Sequence, residues 1–286
     1  MVGIIANPKA GNGRAIKILL KFEKLLLSNK VNYILAFTDE SVDKILSEFE
    51  KNSINDLVVF GGDGTVNSVA RKVINRNMAI LVIPAGRGND FSKSNWKNID
   101  FQKLIKAIKN KEILYSYVDV CYIKRIDTFF FNSFGIGISG SVAKNVKSLG
   151  SYKVSIVKSI FFDYKPFYIK VENIYEGKAI SFHVGLSQIE GHGIKIFPNA
   201  KNNDGLMDMV IFKNVPYFLT LFKVSKVLKG KHLSDKYTIY GQFENIKFEI
   251  NTKLPAHYDG EAFEIDEGIY DITTLKNALK ILKWNY

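Results

Sequence analysis

Three short apolar segments, each followed directly by a glycine-rich segment, constrain the fold of this chain more than any other feature. The apolar segments are residues 2–6, 56–60 and 79–83. Stretches with helical periodicity alternate with strand-like segments over the first 120 residues or so, which is typical of an α/β domain. Such units predict a parallel sheet with right-handed crossovers. The glycine-rich segments are therefore expected together at the carboxyl edge of one sheet.

The glycine-rich segments have the composition of phosphate-binding loops. They are residues 7–13, residues 61–67 (Gly-Gly-Asp-Gly-Thr-Val-Asn) and residues 84–91. Glycine lets backbone N–H groups approach a phosphate closely, and a helix N-terminus favours negative charge. Asp63 is expected to hold a divalent cation that bridges nucleotide oxygens. For a single loop the alternative is a plain turn with Asp63 as the helix N-cap. None is a Walker A sequence, because no Gly-Lys-Ser/Thr follows at that spacing.

The chain changes character after about Val118. Short β-rich stretches then dominate, and turn signals separate them. The predicted strands cover residues 127–133, 167–172, 179–187, 207–212, 236–240, 246–250 and 269–274. Helices are predicted only at 141–148 and 217–229, and residues 276–286 fit neither pattern clearly. This part of the chain therefore predicts an antiparallel sandwich or barrel.

The charge favours an anionic partner. The formal net charge is +12, with 40 Lys and Arg against 28 Asp and Glu. Nucleotide phosphates or an acidic lipid surface would suit this excess, although a general bias in residue usage explains it equally well. Nucleic acid is not expected as a partner, because Lys and Arg form no concentrated run and no nucleic-acid motif is present.

The sequence indicates a cytoplasmic location. The single cysteine, Cys121, excludes an internal disulfide and fits a reducing compartment. No apolar run approaches the ~20 residues of a membrane helix, and the first residues lack the basic region of a signal peptide. We therefore expect no transmembrane segment. The four histidines show no metal-ligand spacing and are expected to be structural or at the surface; they are His183, His192, His232 and His257.

Six motifs together resemble the bacterial diacylglycerol kinase and lipid-kinase family, which is related to eukaryotic diacylglycerol and sphingosine kinases. They keep the family's order and span nearly the whole chain. The motifs are Asn-Pro-Lys-Ala-Gly (7–11), Gly-Gly-Asp-Gly-Thr-Val-Asn (61–67), Ile-Pro-Ala-Gly-Arg-Gly-Asn-Asp-Phe (83–91), Asn-Ser-Phe-Gly-Ile-Gly (132–137), Asn-Asp-Gly-Leu-Met-Asp (203–208) and Asp-Gly-Glu (259–261). Each is moderately specific, and jointly they are highly specific.

The resemblance implies two domains and a reaction. Residues 1–120, with 276–286 returning to them, would form a three-layer α/β ATP-binding domain with a parallel sheet. Residues 121–275 would form an antiparallel β-sandwich that carries the lipid site, with catalysis in the cleft. The activity implied is transfer of the γ-phosphoryl group of ATP, with Mg²⁺, to a lipid hydroxyl, above all diacylglycerol to give phosphatidic acid. Peripheral association with a membrane and a homodimer are also expected.

The resemblance also implies roles for individual residues. The residues that would contact ATP are Asn7, Pro8, Lys9, Ala10, Gly11, Thr38, Gly61, Gly62, Asp63, Gly64, Thr65, Val66, Asn67, Gly86, Arg87, Gly88 and Asn89. Glu261 would accept the proton of the lipid hydroxyl. Lys201, Asp204 and Leu206 match positions that hold a structural Mg²⁺, Asp204 through its carboxylate and the others through backbone oxygens.

A base is expected on chemical grounds, since an alcohol is a poor nucleophile until a carboxylate takes its proton. On an extended chain Asp259 and Glu261 would lie on one face, so that one could bind and the other act as the catalytic base. Taken alone, an acidic pair on a turn is more often a solvated surface feature, and Asp204-Gly205 could be a simple hairpin turn.

Three departures from the family pattern leave alternatives open. Arg87 stands where the family usually has Thr, Ser68 where it commonly has Glu, and Asn203 where an acidic residue is usual. NAD kinase shares the Gly-Gly-Asp-Gly element and is the alternative enzyme. A nucleotide- or lipid-binding regulatory protein with weak or no turnover is the alternative outside catalysis.

Overall fold

The chain folds into two units, which the computed structural model describes over residues 1–74, 76–96, 98–149, 151–190 and 193–284. The first unit comprises residues 1–118 and 277–286, and the second comprises residues 119–276. Over the ranges just given, no helix combines the length and the apolar character needed to cross a membrane.

The first unit is a parallel sheet with helices between its strands. Its elements are β1 (Val2–Ala6), α1 (Arg14–Ser28), β2 (Tyr33–Phe37), α2 (Val42–Lys51), β3 (Asp56–Gly61), α3 (Asp63–Val73), β4 (Ala79–Pro84), α4 (Asp90–Asn95), α5 (Phe101–Asn110) and the first half of β5 (Leu114–Ile123). The strand order is β2-β1-β3-β4, and all three pairs are parallel. The end of the last strand of the chain adds to β4 in parallel, with Ile281 opposite Ile80.

Strands β1, β3 and β4 of this sheet are largely buried, which is why they are apolar along most of their length rather than alternating. Every residue of β1 is buried, and so are residues 57–61 of β3. Helix α1 packs its apolar face on the sheet, where the Phe22 and Phe60 rings lie 5.4 Å apart. Helix α5 begins after Asp100, whose carboxylate accepts the N–H groups of Gln102 and Lys103 and so caps the helix.

The second unit is built of antiparallel strands. Its elements are the end of β5, β6 (Thr128–Phe130), β7 (Ser133–Gly137), α6 (Ile138–Leu149), α7 (Tyr152–Phe162), β8 (Phe167–Val171), β9 (Tyr175–Gly185), β10 (Met207–Lys213), α8 (Tyr217–Leu228), β11 (Thr238–Phe243), β12 (Asn245–Ile250), β13 (Leu254–Tyr258), β14 (Glu261–Ile265) and the start of β15 (Gly268–Lys283). The order β14-β13-β7-β9-β8-β12-β15 is joined by β10 on β9 and by β11 on β10.

Aromatic side chains fill the core of the second unit. The Phe182 and Phe248 rings lie 4.9 Å apart, and the Phe248 and Tyr270 rings stack at 5.2 Å. All three side chains are almost fully buried. Packed aromatic pairs of this kind contribute beyond their buried area and fix the register of the strands that carry them.

The predicted fold class is confirmed, with parallel strands in the first unit and antiparallel strands in the second. Several elements differ from the prediction. Helix α3 begins at Asp63, inside the glycine motif, so this segment is helical rather than wholly a loop. The sequence pattern missed α4 and α7, and residues 276–283, which had no clear pattern, belong to the long strand β15. Helix α7 was missed because its apolar residues do not keep to one face, so helical periodicity is weak there.

Candidate functional site

The three glycine-rich segments lie at the carboxyl ends of neighbouring parallel strands in the first unit. The first follows β1, the second lies between β3 and α3, and the third follows β4. Asn7 joins the first two, because its Nδ2 donates to Thr65 Oγ1 at 2.9 Å and its backbone N–H donates to Phe60 O. Thr38, after β2, donates its N–H to Ala6 O and so lies beside the start of the first segment.

The second and third segments approach each other at two glycines. A Cβ atom on Gly62 would lie 2.9 Å from Gly86 Cα, and one on Gly86 would lie 2.6 Å from Gly62 Cα. Ala85 donates its N–H to Gly61 O at 2.8 Å. The first segment reaches the same place, since a Cβ on Gly11 (φ +58°) would collide with Ala85 O. Glycine is therefore required here by close backbone contact.

Asp63 ties the second segment to the third. Its carboxylate accepts the N–H of Asn89 at 2.6 Å and that of Phe91 at 3.4 Å. Burial raises the pKa of the Asp63 carboxyl, and these N–H donors act in the opposite direction. Asp63 is the first residue of α3 rather than its N-cap, which is Gly62. The expected role in holding a cation stays a prediction, and the contact observed is with the neighbouring loop.

Asn89 shapes the third segment. It adopts a left-handed conformation (φ 58°), and its side-chain amide both accepts from Gly86 N and donates to Gly86 O, each at 2.8 Å. The loop between them is thereby closed, and Arg87, which stands where the family usually has Thr, is exposed at its tip.

The N-terminus of α3 presents donors at this edge. No side chain caps this helix, and its first backbone N–H groups have no carbonyl partner within the helix. Thr65, Val66 and Asn67 are buried. Val66 donates its N–H to Gly62 O at 3.0 Å, so that N–H is already paired. The Asn67 Nδ2 is buried without a hydrogen-bond partner in the described residues, which leaves a donor available. The remaining residues predicted to bind nucleotide lie in the same segments; they are Pro8, Lys9, Ala10, Gly64 and Gly88.

The acidic turn of the second unit is a tight hairpin between β13 and β14. Tyr258 pairs with Glu261, and Asp259 and Gly260 both have positive φ (48° and 82°), as in a type I′ turn. Residues 259–261 are therefore not extended, and the condition under which both carboxylates would share one face is not met. The turn type requires left-handed backbone at its two central residues, and this reorients Asp259 relative to Glu261.

Asp259 points into the protein. Its carboxylate accepts three backbone N–H groups, from Phe131 at 2.9 Å, Asn132 at 2.7 Å and Ser133 at 3.0 Å. Its own N–H donates to Ser133 O at 2.7 Å. These bonds fix the hairpin to the segment between β6 and β7 and so position Glu261, which is partly exposed at the start of β14.

The predicted metal residues lie on the turn before β10. Lys201 and Asp204 are exposed, and Asp204 Oδ1 accepts the N–H of Leu206 at 3.1 Å. Gly205 (φ +79°) donates its N–H to the buried carboxylate of Asp119 at 2.7 Å. Burial raises the pKa of the nearby Asp208 carboxyl, and the negative charge of Asp204 adds to that rise.

The turn before β10 is thus an anionic loop, but its ligand set is small. In the portion of the chain that is described, no three His, Cys, Asp or Glu side chains converge on a common metal position. One exposed carboxylate with two backbone oxygens fits a hydrated Mg²⁺, which keeps several of its waters. It does not fit a tightly held, dehydrated ion.

Sequence reasoning missed a buried polar cluster in the second unit. His257 Nε2 lies 2.6 Å from Ser139 Oγ and 3.1 Å from Glu190 Oε1, and His183 Nε2 lies 2.9 Å from Ser181 Oγ. Burial alone would raise the pKa of Glu190, but the charge of His257 and the hydrogen bonds of both histidines outweigh it and lower that pKa. Ser139 and His257 are distant in sequence from the Ser181, His183 and Glu190 group, so no local signal could have indicated the whole cluster. His192 lies outside the described residues.

An apolar cavity of about 120 Å³ lies next to this cluster. Its walls include Ile156 and Ile160 of α7, Val224 and Val227 of α8, and Phe212 of β10. Ser139, Ser181 and His183 line its polar end. A cavity of this size accommodates roughly a benzene-sized volume of hydrocarbon, so it would take part of a lipid chain rather than a whole lipid.

Comparison with known proteins assigns both units. The profile described as "Diacylglycerol kinase catalytic domain" matches residues 1–121. That described as "YegS C-terminal NAD kinase beta sandwich-like domain" matches residues 137–281. Together they cover most of the chain, in the order that the six sequence motifs predict.

Individual relatives agree at modest identity. "Putative lipid kinase YtlR" of Bacillus subtilis is 26% identical over 90% of this chain and 92% of its own. A diacylglycerol kinase of the same organism is 23% identical over 90% and 88%. Among solved structures, "Crystal structure of a putative diacylglycerol kinase from Bacillus anthracis str. Sterne" superposes with a TM-score of 0.78 at 23% identity, covering 99% of this chain and 97% of that one. The structural likeness shows the fold, and the profile matches show the family. The chain therefore belongs to the diacylglycerol kinase catalytic-domain family, whose named relatives are lipid kinases and hence phosphotransferases.

Proposed function

We propose that the protein is an ATP- and Mg²⁺-dependent lipid kinase that transfers the γ-phosphoryl group to a lipid hydroxyl, with diacylglycerol as acceptor and phosphatidic acid as product. The observation that carries the proposal is the convergence of three glycine segments in the first unit, where Gly62 and Gly86 approach backbone to backbone. With the uncapped N-terminus of α3 beside them, these segments form a cradle for a chain of phosphates.

Each segment has a part in holding the nucleotide. Residues 7–11 and Thr38 border the cradle on the β1–β2 side, residues 61–67 supply the helix N-terminus, and residues 86–89 close the third side. Arg87, exposed at the loop tip, adds a positive charge within reach of phosphate oxygens. Catalysis of phosphoryl transfer is largely positioning and charge stabilisation, which such a cradle supplies.

Glu261 takes the proton of the acceptor. As the hydroxyl oxygen bonds to the γ-phosphorus and the bond from the β–γ bridging oxygen breaks, the proton passes to the Glu261 carboxylate and ADP leaves. Asp259 acts as a positioning residue, because its oxygens are already engaged by three backbone N–H groups. The two acidic residues of the turn therefore have different roles.

Mg²⁺ would neutralise phosphate charge, and Asp63, whose carboxylate lies between the second and third segments, would help to hold it. A second, structural ion fits the turn formed by Lys201, Asp204 and Leu206, where Asp204 would bind through its carboxylate and the others through backbone oxygens. The anionic character of that turn, with Asp119 and Asp208 close behind it, supports a cation there.

The apolar cavity supports a lipid as the acceptor. Hydrocarbon side chains form most of its wall, which suits an acyl chain and offers a dinucleotide little to bind. The test is to incubate the purified protein with γ-labelled ATP, Mg²⁺ and either mixed micelles of candidate lipids or NAD. Label in phosphatidic acid supports the proposal. Label in NADP, or ATP binding without transfer to any lipid, contradicts it in favour of the NAD kinase or the regulatory alternative.

The cradle is tested separately by Gly62→Ala. The added methyl would meet the Gly86 backbone, so the two segments must move apart. We expect ATP affinity to fall by roughly tenfold or more, which corresponds to about 1.4 kcal/mol. Ser68→Ala is the matched control, because Ser68 is exposed one turn further along α3 and bonds only to Thr65 O in the contacts described. Equal ATP affinity in both variants would contradict the assignment of the cradle.

A further inference from the structure

Helix α7 carries apolar side chains on its exposed face as well as on its buried face. Val154, Val157 and Phe161, at positions i, i+3 and i+7, are each about half exposed (53%, 51% and 53%). Ser155 and Ser159 are fully buried. The buried hydroxyls are satisfied, since Ser155 Oγ donates to Ser151 O and Ser159 Oγ accepts from Asn145 Nδ2. The helix therefore buries two serines together with Ile160, while Val154, Val157 and Phe161 stay half exposed.

Helix α8 continues this surface. Phe218 and Phe222, one turn apart, are 60% and 74% exposed, and Phe162 at the end of α7 is 80% exposed. The end of α7 meets the start of α8 through Tyr217, whose ring lies 6.0 Å from that of Phe161. We call Phe161, Phe162, Phe218 and Phe222 the aromatic patch. Ordinary protein surfaces expose single, scattered apolar side chains, whereas four exposed phenylalanines are grouped on these two neighbouring helices.

Exposed lysines follow both helices that carry the aromatic patch. Lys165 follows α7, and Lys229 and Lys231 follow α8; all three are exposed. The sequences of the two helices contain lysines and no Asp or Glu. Lys223 and Lys226 pair with Asp235 at 2.7 and 3.0 Å, and the negative charge of Asp235 offsets part of their positive charge. The surface thus combines apolar side chains with a surplus of positive charge.

We propose that the aromatic patch docks on a bilayer that contains anionic phospholipid, with the phenylalanines in the interface and Lys165, Lys229 and Lys231 at the headgroups. Aromatic rings and lysines are the side chains that interfacial anchors use. Each lysine near an anionic surface adds attraction that falls off within a Debye length. A second copy of the chain fits less well, because a two-fold interface at this patch would bring the lysines together.

The same helices connect the patch with the proposed acceptor site. Ile156 and Ile160 of α7 and Val224 and Val227 of α8 face the apolar cavity from inside, while the patch faces outward. Docking through this surface would bring the cavity wall to the bilayer that holds the lipid. This last link rests on the proposed lipid-kinase function; the docking itself does not.

The test is co-sedimentation with phosphatidylcholine vesicles, with and without phosphatidylglycerol, in the absence of ATP. Phe162→Ser/Phe222→Ser is expected to lower vesicle affinity by roughly tenfold or more, since two rings lose apolar burial. The matched control is Leu20→Ser/Leu27→Ser, which removes two side chains of α1 that are 54% and 65% exposed. We expect the control to bind vesicles as the wild type does. Equal binding by the aromatic variant, or loss of a dimer without loss of vesicle binding, would overturn the proposal.

A second variant does not depend on removing any apolar side chain. Phe222→Trp places an indole in the patch, and Trp96 and Trp284 are both buried. Its emission should shift to the blue with anionic vesicles and be quenched by brominated lipid, and absence of both effects would also overturn the proposal. Lys229→Gln/Lys231→Gln should weaken the dependence on phosphatidylglycerol, whereas Lys21→Gln/Lys24→Gln on α1 should not.

Activity assays test membrane docking and the proposed lipid-kinase function separately. The aromatic variant should phosphorylate a short-chain diacylglycerol dispersed in water at the wild-type rate and lose rate only on vesicles. If the wild type binds vesicles through the patch and phosphorylates no lipid, the docking surface stands and the proposed function fails. If the wild type phosphorylates lipid and the variant loses neither binding nor rate on vesicles, the docking surface fails alone.

Discussion

Asp63 accepts the backbone N–H of Asn89 at 2.6 Å, so that one carboxylate joins the glycine segment after β3 to the segment after β4. Asn89 in turn closes its own loop on Gly86 with two side-chain bonds of 2.8 Å. The shape of the cradle is therefore set by a chain of polar contacts as well as by its glycines. Because Asp63 and Asn89 hold these two segments, they would also set the positions of the backbone N–H groups that face a bound phosphate.

Asp63→Asn should loosen this arrangement. An amide can accept one N–H but brings an NH₂ group towards the other, so we expect the free energy of unfolding to fall by about 1–3 kcal/mol. ATP affinity should fall as well, because the third segment is no longer held. Thermal unfolding with and without ATP·Mg²⁺ measures both effects. Asp43→Asn, on the exposed side of α2, makes the same chemical change without these contacts and should alter neither.

Glu261→Gln should remove turnover and leave the structure intact. The amide cannot take the proton of the acceptor, and loss of a general base typically costs about 10²–10⁴ in rate. The melting temperature and the affinity for ATP should stay at wild-type values. Glu264→Gln on the same strand is the control, since Glu264 is exposed and pairs only with Lys253 among the contacts described. Retained lipid phosphorylation in Glu261→Gln would remove this residue from the mechanism.

Unlike Glu261→Gln, Asp259→Asn should lower the stability of the fold, and its loss of activity should follow from that. Three backbone N–H groups lose a charged acceptor, and bonds to charged groups are worth about 1.5–3 kcal/mol each before compensation. We expect a lower melting temperature, and a loss of rate that a lower assay temperature partly restores. A variant as stable as the wild type yet inactive would show that Asp259 takes part in the chemistry. Asp266→Asn, exposed near the end of the same hairpin, is the control.

The sequence was informative about the first unit for a physical reason. Buried parallel strands must be continuously apolar, and the loops that follow them must be glycine wherever backbones touch, as at Gly62 and Gly86. Both requirements appear in consecutive residues. A reader of the sequence can therefore recognise the strands and the loops and place them at one edge of a parallel sheet.

The missed features depend on contacts between distant residues. Asp259 bonds to residues more than 120 positions earlier, and no spacing rule indicates that its side chain turns inward. The cluster joins Ser139, residues 181–190 and His257, which are three separate parts of the chain. Helix α7 shows no clear period because apolar residues lie on both of its faces, with Ile160 buried and Val154 and Val157 exposed. In each case tertiary structure overrides the local pattern.

Asp204→Asn should weaken Mg²⁺ binding at the turn before β10. The exposed carboxylate is the charged ligand of the predicted site, and Mg²⁺ prefers carboxylate oxygens. The wild type should gain thermal stability as Mg²⁺ is added without ATP, and the variant should gain less. Asp127→Asn, an exposed carboxylate that bonds to Tyr122, is the control. An equal gain in wild type and Asp204→Asn would exclude this turn as a Mg²⁺ site.

The buried carboxyl of Glu190 should make the stability of the fold depend on pH. Its carboxyl has a lowered pKa in the folded protein because His257 and His183 oppose the effect of burial. A lowered pKa stabilises the fold above the ordinary glutamate value of about 4.3, and this contribution is lost as the pH falls below it. Glu190→Gln should therefore be less stable by about 1.5–3 kcal/mol near pH 7, since a charged acceptor is lost from a buried network.

The difference in the free energy of unfolding between wild type and Glu190→Gln should shrink as the pH falls below about 4.3. Protonation then removes the negative charge of Glu190 from the wild type, as the substitution does in the variant. Urea unfolding followed by circular dichroism over this range measures the difference. Glu172→Gln, an exposed glutamate of the same unit, should match the wild type at every pH. A constant difference between wild type and Glu190→Gln would mean that packing, and not the charge of Glu190, is what the cluster requires.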